Sequence, residues 1–196
     1  MGNVNRKTVP MLLAVSLLGV GCSPSEPQII DESKYEDLYD AEGLDDEDFP
    51  DPPELPDAVK DESEDGAVAA AEYFLDAYEY GFRVADGAPM EEIINEECGT
   101  CANLLEQFSD QTTKDISAPK AAFTDRSQSD FRSSGEAFYL VVETFLTNAN
   151  LQFSNGEMYE EIADNDYSFI FELIRIEDEW RISGIDIKTT EERGNA

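Results

Sequence analysis

The chain predicts an α+β fold: N-terminal helices packed on a curved antiparallel sheet, preceded by a signal peptide and a disordered acidic stalk. Three observations carry the prediction. Apolar residues recur with a helical period between Gly66 and Ala85, and the period changes to two from Glu136 onward. Before both lies a stretch, Ser23 to about Asp65, dominated by Asp, Glu, Pro and Ser, with too few apolar residues to offset chain entropy. The expected organisation is therefore residues 1–21 as signal peptide, 22–65 as stalk, 66–190 as one globular domain and 191–196 as tail. About 130 residues is an ordinary size for a single core.

The leader has a cationic start, Arg6 and Lys7, and an apolar run from Met11 to Val20. That run is about ten residues long, against roughly twenty needed to cross a bilayer as a helix. It ends in Leu17-Leu18-Gly19-Val20-Gly21-Cys22, the pattern of a lipoprotein signal peptide at its cleavage site. Cleavage before Cys22 makes that residue the acylated N-terminus, so the expected location is the cell membrane, lipid-anchored, on its extracytoplasmic face. N-myristoylation is set aside because Arg6 stands where that motif needs Ser or Thr. As a flexible coil the stalk reaches roughly 40 Å, further if its charges repel.

Within the domain, Ala70, Tyr73, Phe74, Ala77, Gly81 and Val84 share one face of the first helix, and Glu72, Asp76, Glu79 and Arg83 follow the other. Asp86-Gly87 ends it, and Pro89 with Glu91 and Glu92 opens a short second helix reaching about Asn95. A third follows Cys98-Gly99-Thr100-Cys101, with Thr100 as N-cap and Leu104, Leu105 and Phe108 inward. Ile116 to Ser134 is polar and ambiguous. Strands are expected over Ala137–Leu146, Tyr167–Ile176 and Glu179–Lys188, with a hairpin through Asn155-Gly156 between the first two. Tyr167, Phe169, Phe171 and Leu173 share a parity that turns Glu172 to the other side. Trp180 and Ile182 are even but Ile185 and Ile187 odd, so a bulge at Gly184 is needed to put both pairs in the core, and it curves the sheet.

The formal charge of −32 makes the chain a polyanion, which excludes nucleic-acid binding. Histidine is absent, which removes the usual neutral-pH base and the commonest transition-metal ligand. The acidic runs Asp45-Asp46-Glu47-Asp48 and Asp164-Asn165-Asp166 lack the ligand alternation of an EF-hand loop, so no metal site and no cofactor is expected. Of three cysteines, lipidation of Cys22 leaves Cys98 and Cys101 as an even pair. Outside the cytoplasm that pair is expected to form a disulfide clamp worth about 2 kcal/mol. Thiol-disulfide exchange is the competing reading of the Cys-x-x-Cys spacing, weakened by Glu96 and Glu97, which disfavour a thiolate.

Gly66-Ala67, Tyr73, Tyr78-Glu79-Tyr80-Gly81, Asp86-Gly87 and Cys98-Gly99-Thr100-Cys101, in that order and spacing, resemble an actinobacterial lipoprotein family of unknown function. The resemblance covers about Leu55 to Lys188 and implies the cone-shaped, cystatin-like fold of nuclear transport factor 2. It implies no reaction, since that fold hosts enzymes and binding modules alike. Related cones often pair through the sheet, so a homodimer is one expectation. The leading functional expectation is a non-catalytic module that binds a small ligand or another envelope protein. The alternative is a hydrolase or isomerase built on a pocket drawn from Tyr73, Asp76, Tyr78, Tyr139 and Glu143.

Overall fold

The computed structural model describes residues 50–134 and 137–189. The signal peptide, Cys22, the stalk before Pro50 and the tail from residue 191 lie outside the described residues.

The chain is folded earlier than its composition suggests. A 3-10 helix at Asp57–Lys60 buries Val59, and the Trp180 indole donates to the Asp61 carbonyl at 2.7 Å. The expected boundary at residue 65 is thus too late, because one well-placed valine and a backbone carbonyl suffice to seat an otherwise polar segment.

Helix α1 (Glu64–Val84) starts at Ser63, whose hydroxyl accepts from Gly66 N at 3.4 Å, with Glu64 and Asp65 in the first turn where the helix dipole favours them. All six residues assigned to its inner face are buried. Helix α2 (Ala88–Glu91) is shorter than expected, because the next residues bond to the sheet edge: Ile182 N donates to Ile93 O at 2.9 Å and Asn95 N to Ile182 O at 2.8 Å. Helix α3 (Gly99–Lys114) is capped by Cys98, whose sulfur accepts from Cys101 N at 3.3 Å. Thr100 therefore lies inside the helix instead of capping it. Phe108 is fully buried, and Leu104 and Leu105 lie partly buried against the core.

The stretch left ambiguous contains β1 (Ile116–Ser117) and β2 (Ala122–Ser134). Then come β3 (Ala137–Thr147), β4 (Leu151–Phe153), β5 (Met158–Glu160), β6 (Asn165–Ile176) and β7 (Glu179–Thr189). A four-stranded antiparallel sheet runs in the order β2-β3-β6-β7, and a small one in the order β1-β4-β5. Gly156 adopts φ 80 in the β4–β5 turn, as the Asn-Gly pair predicts. The register of β7 shifts where Glu172 faces Gly184 and Leu173 faces Ile182, which returns Trp180, Ile182 and Ile185 to the core. The helices cover one face of the large sheet, giving the α+β architecture expected.

Candidate functional site

The space between the helices and the sheet is filled. Tyr78, on α1, has ring centroids of Phe82, Phe108, Phe123, Phe74 and Phe169 between 4.9 and 6.1 Å away. Burial, and after it the neighbouring Tyr167, raises the Tyr78 hydroxyl well above the ordinary tyrosine range. Tyr73, one turn earlier, is also buried, and its hydroxyl donates to Pro89 O at 3.0 Å and to Glu92 Oε2 at 3.4 Å. Burial first and the Glu92 charge second push its pKa up to about 12. Both tyrosines are packing groups that hold α1 to its neighbours.

Asp76 lies on the flank of α1, where Arg126 of β2 reaches its Oδ1 at 2.6 Å, Glu72 Oε2 at 3.3 Å and Glu79 Oε2 at 3.6 Å. These acids fall four and three residues apart, so one guanidinium spans the stripe. Burial is the largest influence on Arg126 and favours losing its charge, but Asp76 and then Glu72 outweigh it and hold the proton more tightly than usual. Glu79 also accepts from Phe123 N at 2.8 Å, so the cluster latches β2 onto α1.

Tyr139 and Glu143 lie on the other side of the sheet. In β3 the buried positions are Leu140, Val142, Thr144 and Leu146, which turns the odd-numbered residues away from the helices. Tyr139 donates to Glu172 Oε2 at 3.2 Å, which raises its pKa, and Ser183 donates to Glu172 Oε1 at 3.1 Å. The five residues proposed as one pocket are therefore divided between the core, the α1 flank and the outer sheet face, because helix and strand parity send them in different directions.

Glu143 alone of the five lines a groove, about 540 Å³ in volume, together with Asp125, Ser127, Thr144, Phe145, Asp166, Tyr167 and Ser168. Its construction follows from strand register. Glu143 faces Ser127 on one side and Ser168 on the other, and one step along Phe145 faces Asp166. On the β2 side the ladder breaks between Thr124 and Ser127, where Asp125 takes φ 54. That bulge opens one wall, and Ser168, only 4% exposed, is sunk in the lining. Three carboxylates and no lysine or arginine line the groove, so it disfavours anions and suits a cationic or hydrogen-bond-donating group beside the Phe145 side chain.

Sequence reasoning missed Asp125, Phe145, Asp166 and Ser168. The parity that sent Glu172 outward carries Asp166 and Ser168 with it, but Asp125 belongs to a strand too polar to recognise. Cys98 and Cys101 form a disulfide with both residues buried, at 2% and 0% exposure, away from any attacking thiol. Among the described residues no group of three or more acids and cysteines is placed to hold a metal ion, and no helix is long and apolar enough to cross a membrane.

The sequence profile of a family of unknown function (DUF6318) matches residues 48–186. No curated protein matches. Among solved structures the chain is similar to the intermembrane-space region of the chloroplast protein ARC6, at 9% identity and a TM-score of 0.53, over 66% of this chain and 99% of that one. It also resembles an NTF2-like protein of unknown function from Shewanella baltica OS155, at 13% identity and a TM-score of 0.41, over 66% and 98% of the two chains. A protein with a cystatin-like fold from Caulobacter vibrioides matches at 12% identity and a TM-score of 0.44, over 66% and 94%. At these identities the likeness concerns the fold alone.

Proposed function

This chain belongs to the family of unknown function DUF6318, and from that premise we propose that it is a membrane-anchored, extracytoplasmic module that binds a ligand or partner without transforming it. The observation that carries the reading is the filled interior beside an open outer groove: rings occupy the helix-facing side of the sheet, and the groove lined by Glu143, Phe145, Asp166 and Ser168 includes no helix residue. The hydrolase or isomerase considered above needs a tyrosine and a carboxylate from Tyr73, Asp76, Tyr78, Tyr139 and Glu143 in one open pocket, and of these the groove holds Glu143 alone, while the ring of its lining residue Tyr167 packs against the core beside Phe169. Tyr73 and Glu92 are engaged in holding α1 to α2, and the Tyr139–Glu172 pair does not line the groove. The anchor is supported by Cys22 at the end of its apolar leader and by the oxidised Cys98–Cys101 pair, which suits an oxidising compartment.

The test of binding is a titration of the isotope-labelled chain with small organic cations, anions and neutral compounds, read from backbone amide shifts. Cations that move the amides of Glu143, Phe145 and Ser168, and lose affinity in Glu143→Gln, support the proposal. Substrate turnover abolished by that substitution refutes the non-catalytic reading. A second copy is the competing occupant of the same face, and sedimentation equilibrium separates a homodimer from a liganded monomer. For the anchor, Cys22→Ser should release the protein from the membrane fraction and remove a diacylglycerol adduct from its mass. Retention with unchanged mass refutes it.

A further inference from the structure

The segment that enters the domain is held by an arrangement that the binding reading does not use. Asp61 presents its carbonyl to two donors, the Trp180 indole at 2.7 Å and the Arg175 guanidinium at 3.2 Å, and Arg175 also donates to Lys60 O at 3.2 Å. Arg175 lies over the Trp180 ring, 5.5 Å from its centroid, and Phe138 meets the same ring edge-on at 4.9 Å. Val59 is buried at 1% exposure. The approach is so close that a Cβ on Gly66 would collide with the Asp61 carbonyl and stand 2.9 Å from Trp180 Nε1. The Asp61 carboxylate accepts from Ser63 N at 2.9 Å, and Ser63 in turn caps α1.

We infer that Asp57–Asp61 is a force-bearing clasp, which ties the incoming chain to the β6–β7 hairpin so that tension on residues before Pro56 is taken up by the sheet and does not fray α1. Detaching it strips the acceptor from a buried indole N–H, exposes Val59 and frees the residue that fixes the helix cap. These changes occur together, so the clasp opens as one unit. The clasp itself stands on these contacts, its load rests on the anchor proposed above, and both hold whether or not the groove binds anything.

Hydrogen exchange on the full chain tests it first. Val59 N donates to Pro56 O and Asp61 N to Ala58 O. These two amides should exchange as slowly as those of β6 and β7. Trp180→Phe keeps an aromatic ring but removes the donor, and should accelerate them by roughly tenfold to a hundredfold relative to the β3–β6 amides. Arg175→Gln should act in the same direction, and serves if the tryptophan variant does not fold. In single-molecule extension by the chain ends, the wild type should yield in one event. The variants should show an earlier, low-force release of the clasp. Wild-type clasp amides that exchange about a hundredfold faster than β7, or variants with unaltered clasp exchange and first rupture force, would overturn the inference.

Discussion

Gln111 on α3 is only 3% exposed, and neither its Nε2 nor its Oε1 has a hydrogen-bond partner among the described residues. Leaving a polar group buried and unpaired costs about 1–3 kcal/mol, more than most single contacts in a domain contribute. Gln111→Met keeps the side-chain length and a similar helix propensity while removing both polar atoms. The expected result is a gain of about 1–3 kcal/mol, which in a domain of this size raises Tm by roughly 3–10 °C. Urea titration followed by circular dichroism gives the free energy, and an unchanged slope against denaturant excludes an effect on the unfolded chain. Gln111→Glu is the companion, expected to lose several kcal/mol because it buries a charge at the same place. If the methionine variant loses 1 kcal/mol or more, the amide is satisfied in solution and the reasoning is refuted.

Three other expectations follow from contacts described above. Arg126→Gln should destabilise the domain by about 1–3 kcal/mol, since it leaves Glu72, Asp76 and Glu79 adjacent without their shared cation, and added salt should recover part of the loss. Tyr73 is neutral when protonated and its folded pKa lies near 12, above the unfolded value near 10. Its contribution is therefore complete below pH about 10 and is lost as pH rises towards about 12, so Tyr73→Phe should flatten alkaline denaturation in that interval. The buried Cys98–Cys101 bridge should resist mild reductant in the native state, with alkylation detected by mass only after unfolding; rapid native labelling would revive the exchange reading.

The parts of the fold with a strong, uninterrupted period were readable from the sequence. The first helix, the last three long strands and even the β7 bulge announce themselves because each buries alternate or helically spaced apolar residues against one core. Strand β2 was hidden for the opposite reason. It is an edge strand rich in Ser, Asp and Arg, and its two register breaks scramble the parity on which strand recognition depends. The clasp was hidden because its main acceptor is a backbone carbonyl, which leaves no side-chain trace at Asp61. The site was only partly legible. Residue types suited to chemistry were chosen correctly as types, but which of them converge depends on face and register across distant segments, and only Glu143 of the five reaches the groove.

The two breaks in β2 matter beyond the groove they help to form. Strand β2 ends the four-stranded sheet, and an outermost strand of thirteen residues would ordinarily offer a neighbouring molecule a straight row of amides and carbonyls to extend. The irregularities at Thr124–Ser127 and Gln128–Asp130 put those groups out of line, so a second strand laid alongside loses registry within a few residues. On this edge of the sheet, crowded copies of the domain meet a poor template for strand addition.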